Sequence, residues 1–158
     1  MRIISHRGNL SGPGERENDP DQIDVCLRSG FDCEVDLWIE SDKFLLGHDF
    51  GQYSISFDWL SDRERSLWIH CKNSHALTYL SDLKNPTLNF FWHEKDKYTL
   101  TSTKKVWVYP GRELLSDSVA VLPELWESNK TKSELWRCFA ICTDYPEKYR
   151  QEFVTLTS

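Results

Sequence analysis

IISHRGN, Ile3–Asn9, is an apolar run that breaks off into His6, Arg7 and Gly8. Such a run reads as a buried strand whose tip carries an imidazole, a guanidinium and a flexible turn, and tips of this kind are where chemistry tends to sit. The pattern recurs along the chain. Strand candidates are RIISH (2–6), FDCEVDLWIE (31–40), KFLLGH (43–48), SLWIHCK (66–72), TLNFFWH (87–93), KKVWVYP (104–110), VAVLP (119–123) and CFAICTD (138–144). Several are continuously apolar, as expected of strands covered on both faces. Between them lie helix-like stretches. In DPDQIDVCLRSG (19–30), Asp19 or Asp21 can cap and Gly30 can stop the helix; SHALTYLSDL (74–83) and YPEKYRQEF (145–153) are two more. Strand–helix alternation predicts an α/β fold with a largely parallel sheet, in which sites lie at the carboxyl ends of the strands. His6 is then one member of a ring of strand tips.

Composition narrows the class. The 158 residues are 39% hydrophobic and include seven Trp, enough for one sizeable core and too few for two ordinary domains, so a single domain over 1–158 is expected. The net charge of −6, with basic residues scattered, disfavours nucleic-acid binding. No apolar run is long enough to span a bilayer, and no signal-peptide pattern opens the chain. The five cysteines (Cys26, Cys33, Cys71, Cys138, Cys142) are odd in number and lack CxxC spacing. They read as reduced thiols in a cytoplasmic protein.

The chemistry-bearing residues fall at the strand tips. Glu34 and Asp36 are two apart, so they project from the same face of one strand. Side by side in an apolar strand they repel each other and lose hydration. A hard divalent cation relieves both problems; a solvated strand face without metal fits the spacing equally. LLGHDF ends in His48 and Asp49. LWIHCKN puts His70 and Lys72 on one face, and a buried Lys needs an anion: a phosphate, or Glu34 or Asp36 across the sheet. FFWHEKD places His93 after a further apolar run, and CFAICTDYP ends on Thr143 and Asp144. His75, in a helix-like segment, reads as surface. Two His, a carboxylate pair, an Arg and a Lys at successive tips are what phosphodiester cleavage demands. Cationic groups oppose the developing charge, a base activates the nucleophile, and an acid protonates the leaving oxygen.

The order HRGN, ENDP, GFDCEVDLWIE, LLGHD resembles the glycerophosphodiester phosphodiesterase family, within the phospholipase C-like phosphodiesterase barrels. Further on, WIHCKN looks like that family's Glu-x-Lys strand, VWVYPG like its Trp-containing motif, and ICTDYP like its closing Thr-Asp-x-Pro. The resemblance implies a TIM-type (β/α) barrel and metal-dependent hydrolysis of a small-molecule phosphodiester to a phosphomonoester and an alcohol. It implies His6 and His48 as the general acid/base pair, and Glu34 and Asp36 as metal ligands. Arg7 and Lys72 would contact the phosphoryl oxygens. Glu17, Asn18, Asp49 and His93 would support the site. The cation it implies is Mg²⁺ or Ca²⁺.

Two features depart from that pattern. A barrel of this type has ~250 residues, so this one must be compact and trimmed, with reduced helices in the C-terminal half and a more open rim. His70 stands where the family supplies a third acidic ligand, and imidazole suits Mn²⁺ or Zn²⁺ better than Mg²⁺. Either the metal has changed, or His70 meets the phosphate while water completes the metal shell, or metal binding has weakened. His93 could be a second nitrogen ligand or a packing residue beside Trp92. The alternative to an enzyme is a catalytically silent module of the same fold that binds a phosphorylated head group. A zinc hydrolase on His70 and His93 lacks a compact ligand motif. Trp59 and Trp126 are the candidates for peripheral lipid contact, although so many Trp in a short chain point first to core packing.

Overall fold

The computed structural model describes residues 1–84, 87–126 and 132–157. In chain order the elements are β1 (Arg2–His6), α1 (Pro20–Arg28), β2 (Asp32–Glu40), β3 (Lys43–Leu46), β4 (Tyr53–Ile55), α2 (Phe57–Ser61) and β5 (Leu67–Cys71). There follow α3 (Ser74–Ser81), β6 (Asn89–Trp92), β7 (Tyr98–Leu100), β8 (Val106–Val108), β9 (Ser118–Val121), a 3-10 turn (Pro123–Leu125), α4 (Lys132–Leu135), β10 (Ala140–Thr143) and α5 (Pro146–Thr157).

All ten strands belong to one sheet. Seven are parallel, in the spatial order β6-β5-β2-β1-β10-β9-β8. β7 pairs antiparallel with β8 at one end, and the β3–β4 hairpin extends the far half of β2. The sheet is curled into a largely parallel wall. No strand ladder joins β6 to β7 among the described residues, so among them the wall is not closed by continuous strand pairing. Separate hydrogen bonds span that seam instead: Ser102 N–H donates to the Phe90 carbonyl (2.8 Å) and Thr99 Oγ1 to that of Trp92 (2.8 Å).

Local chemistry explains the better-formed half. Asp19 caps α1 by accepting from Asp21 N–H (2.9 Å), Pro20 opens the helix, and Gly30 follows its end at φ 84°. Asn73 caps α3 through Ala76 N–H (2.9 Å) and donates to the Ile39 carbonyl (2.9 Å), tying that helix to β2. Ile23, Val35, Leu37, Ile69 and Leu80 pack between these helices and the outer face of the sheet. The reduction in helix lies between β6 and β10, where the links between successive parallel strands hold, among the described residues, only the hairpin strand β7, a 3-10 turn and the four-residue α4. The C-terminal α5, with 12 residues, is the longest helix described. Inside the curl, Ile4, Trp68, Phe91, Trp107, Val119 and Cys142 form the floor on which the strand tips stand.

The five cysteines are unpaired and buried. Trp59 is half-buried beneath the Arg63 guanidinium (4.4 Å), and Trp126 donates its indole N–H to the Val121 carbonyl (3.0 Å), so both are engaged in packing. No helix among the described residues is long and apolar enough to cross a membrane.

Candidate active site

Alternate side chains on β1, β2 and β5 face inward, which places His6, Glu34, Asp36, His70 and Lys72 at one end of the curled sheet. Arg7 lies just past β1 in the left-handed region (φ 54°), a conformation that costs a non-glycine residue about 1 kcal/mol. It is held there by its own N–H on the Glu34 carbonyl (3.0 Å) and by Asn18 N–H on its carbonyl (2.9 Å). The turn aims the guanidinium across the tips of β2. Arg7 Nη1 donates to Glu17 (3.0 Å), and Arg7 Nε lies 3.0 Å from Asp36 Oδ2, without the alignment of a hydrogen bond.

Asp36 is the hub. It is fully buried, and His70 Nδ1 (3.0 Å), His48 Nδ1 (3.3 Å), Lys72 Nζ (3.5 Å) and Asn18 Nδ2 (3.0 Å) surround it. Burial alone would raise its pKa. The hydrogen bonds from His48 and His70 and the charge of Arg7 outweigh burial and hold the carboxyl well below its usual range. Its neighbour Glu34, also buried, moves the other way: burial and the charge of Asp36 push its pKa up, against the pull of His6, Arg7 and His70. Two carboxylates two residues apart are thus driven to different protonation tendencies in the absence of a cation.

His6 has Nδ1 2.7 Å from Asp144 Oδ1, while Nε2 faces the pocket 3.9 Å from Glu34 Oε2. Burial lowers its pKa, but the Asp144 bond and the Glu34 charge outweigh it, and the net shift is upward. Asp144 also accepts from Asn9 Nδ2 (2.8 Å), and its backbone N–H donates to Glu124 Oε1 (2.8 Å). His48 sits in the loop after β3. Its approach depends on Gly47, where an added Cβ would overlap the Phe50 carbonyl oxygen. His48 Nε2 lies 3.4 Å from Arg7 Nη2, which can only donate, so the imidazole tautomer with Nδ1–H toward Asp36 and a lone pair on Nε2 satisfies these two contacts, while the longer contact of Lys72 Nζ with Nδ1 (3.5 Å) is left without an acceptor.

His70 is locked more tightly. Its ring stacks on Phe91 (5.2 Å between centroids, 4° between planes), and Nε2 lies 2.9 Å from the His93 carbonyl oxygen. A carbonyl only accepts, so Nε2 carries the proton, and in the neutral ring the Nδ1 lone pair points at Asp36 (3.0 Å) and Glu34 (4.0 Å). A lone pair facing two carboxylates requires a cation between them, whether a proton on Nδ1 or a metal ion. An imidazole whose second nitrogen is fixed by a backbone carbonyl is also how metal-ligating histidines are held. Ligand atoms of Glu34, Asp36 and His70 lie within 4.8 Å of one another, so these three residues fit a divalent metal.

Most of the anticipated residues therefore converge. His6, Arg7, Glu34, His48, His70 and Lys72 line one pocket of about 530 Å³. Glu17 and Asn18 brace Arg7 and Asp36 from behind. Two of the anticipated supporting residues sit at the edge of this cluster. Asp49 turns outward, its side chain 85% exposed and 3.7 Å from His48. His93 is not among the clustered metal-capable groups: its ring stands 6.1 Å from that of His70, burial and the nearby His70 charge depress its pKa, and its contribution is its backbone carbonyl. Sequence reasoning stopped short of three positioning residues. Asp144 ends an apolar strand and was legible as a tip, but not as the partner of His6. Asn9, three residues past His6, and Glu124, in the 3-10 turn, carried no signal.

No family model matches the chain, and no curated protein matches it significantly. Among solved structures it is similar to the crystal structure of a "putative glycerophosphodiester phosphodiesterase" from Galdieria sulphuraria, at 10% identity over 92% of this chain and 94% of that one, with a TM-score of 0.47. That likeness is too distant to transfer residue roles from one chain to the other.

Proposed function

We propose that residues 1–158 form a metal-dependent phosphodiesterase that converts a small-molecule phosphodiester to a phosphomonoester and an alcohol. The observation that carries this reading is the meeting of two imidazoles and two cationic side chains around a Glu–Asp–His cluster in one pocket. The ordered motifs of the sequence support it. Arg7 and Lys72 are poised to bind the non-bridging phosphoryl oxygens. Glu34, Asp36 and His70 would hold a divalent cation, which when bound supplies Lewis-acid charge beside the phosphoryl group.

The proton transfers divide between the histidines. His48, with an Nε2 lone pair and Nδ1–H on Asp36, is suited to take the proton from water or from a neighbouring substrate hydroxyl. His6, whose pKa Asp144 and Glu34 raise against the opposing effect of burial, is suited to give one to the leaving alkoxide as the P–O bond breaks. The nitrogen donor in the cluster favours Mn²⁺ or Zn²⁺ over Mg²⁺ or Ca²⁺. Five buried, unpaired cysteines accord with a cytoplasmic setting, which is part of the proposal.

The test is hydrolysis of bis(p-nitrophenyl) phosphate and of glycerophosphodiesters after chelation and reloading with each of the four ions. Metal-dependent turnover that disappears in Glu34→Gln is expected. Binding without cleavage under all four ions would replace the enzyme by the silent head-group module. Turnover at the wild-type rate in both Glu34→Gln and His6→Ala would defeat the assignment of residues.

A further inference from the structure

The imidazoles of the site are held by different means. His6 ends β1 and His70 lies within β5, each with its side chain 13% exposed. His48 stands in the loop after β3, with its side chain 43% exposed. A base must stand within hydrogen-bond reach of the proton it takes, so a base carried on a loop needs its main chain fixed. Beyond His48 the chain offers little hold, since Asp49 and Phe50 both turn out to solvent. The fixing has to come from the Gly47 side.

It comes from β2. Alternation along that strand puts Trp38 on the same face as Glu34 and Asp36, and the antiparallel register sets it opposite Leu45, two residues before Gly47. The Trp38 indole N–H donates to the Gly47 carbonyl at 2.7 Å. The Gly47 N–H in turn donates to the Asp36 carbonyl at 3.1 Å. Both ends of Gly47 are thus tied to β2, whose Asp36 carboxylate also meets the His48 ring at 3.3 Å. A peptide unit is planar, so pinning the Gly47 carbonyl also sets the N–H and Cα of His48 and the direction in which its side chain departs. Gly47 stands at φ 154°, a conformation open to glycine, and without the indole its carbonyl would be free to rotate at little cost.

We propose that Trp38 is the positioning residue of His48: its indole N–H pins the Gly47 carbonyl and so fixes where the imidazole stands beside Asp36. The proposal rests on the phosphodiesterase reading, in which His48 takes the proton of the nucleophile, and adds the group that keeps that base in place. Trp38 is not among the residues that line the pocket and acts through the main chain. Its loss should therefore slow the attack on phosphorus and leave the hold on cation and phosphate unchanged.

The test is Trp38→Phe, which keeps a ring and removes the donor, with Trp38→Leu as the second variant where the first does not fold. Amide hydrogen exchange should show the Gly47 N–H exchanging about tenfold faster than in the wild type, with the β2–β3 ladder still protected. Calorimetry with Mn²⁺ and with inorganic phosphate should give affinities within about twofold of the wild type. On bis(p-nitrophenyl) phosphate, kcat should fall roughly ten- to a hundredfold at constant KM. Added to His48→Ala, which leaves no imidazole to position, Trp38→Phe should cost less than about a further twofold. Unchanged Gly47 exchange, a parallel loss of Mn²⁺ affinity, or the full factor lost again on His48→Ala would overturn the proposal, as would failure of both variants to fold. Each of those results leaves the phosphodiesterase reading intact. No turnover by the wild type with any of the four ions would remove that reading instead, and with it a base for Trp38 to position.

Discussion

The β1-β2-β5 side of the sheet and the β6-β8-β9 side are built differently. The first has strands of five to nine residues, two capped helices behind it, and inward-facing charges. The second has strands of three or four residues, a hairpin and a 3-10 turn in place of helices, and inward-facing aromatic and aliphatic groups. The difference separates two tasks. Buried charges need fixed partners, because a shift that strands one of them costs several kcal/mol. Rigid strands with helices packed behind them supply that fixity. Apolar contact is less directional, so shorter and looser strands suffice to carry it.

That contrast can be broken by substitution, beginning with the hub. Asp36→Asn should abolish measurable turnover and metal binding. It should also destabilise the protein by about 3–5 kcal/mol, since Arg7, Lys72 and His70 lose the anion they surround. Activity assays and chemical denaturation check both effects, and wild-type stability in the variant would contradict the role of Asp36. Next in size is His6→Ala. Rates on alkyl phosphodiesters should fall roughly 10²–10⁴-fold. Those on bis(p-nitrophenyl) phosphate should fall far less, because p-nitrophenolate leaves without a proton. Equal losses on the two substrates would mean that His6 is not the acid.

The apolar side should fail in another way. Trp107→Ala removes a buried ring that contacts Phe91 (4.6 Å) and Trp68 (5.9 Å) and should cost about 3–5 kcal/mol of stability. The variant that remains folded at low temperature should keep its metal affinity. A concurrent loss of metal affinity would show that the two sides are not separable.

The smallest effect concerns pH. In metal-free protein the raised His6 pKa stabilises the fold below about pH 6.5, its unfolded value, and that contribution fades as pH rises through the folded value. The lowered Asp144 pKa stabilises above about pH 3.9, and its contribution fades as pH falls through the folded value. The pair therefore contributes most between these limits. Asp144→Asn should lower stability there by about 1–2 kcal/mol, with the gap from wild type narrowing above the folded His6 pKa. A gap constant with pH would contradict an ionic partnership.

The same contrast governs what the sequence disclosed. On the charged side, apolar runs carrying His-Arg, Glu-x-Asp and His-x-Lys announced the strands and which residues share a face, while the spacing alone left open whether that face was buried. The α1 cap at Asp19 was equally plain. On the other side, TLNFFWH and KKVWVYP were recognisable as strands, but β7 and the ladder-free seam beside β6 were not. β7 is three residues set among polar ones with no apolar run to mark it, whereas the equally short β8 lies within one. The β4 strand and α2 were missed for the same reason. His93 shows a further boundary: its side chain suggested a ligand, yet the contact it makes to His70 is through a main-chain oxygen that any residue possesses. Glu124 acts two bonds removed from the chemistry, through Asp144, and only three-dimensional packing exposes it.

The central claim is that Glu34, Asp36 and His70 hold a cation beside a phosphate seated on Arg7 and Lys72. The most direct test is a crystal structure grown with Mn²⁺ and inorganic phosphate, with anomalous diffraction recorded for the metal. One anomalous peak touching both carboxylates and His70 Nδ1, with phosphate between it and the two cationic side chains, is the predicted result. A cluster with no peak, and with His70 Nδ1 still bonded directly to Asp36, would contradict it.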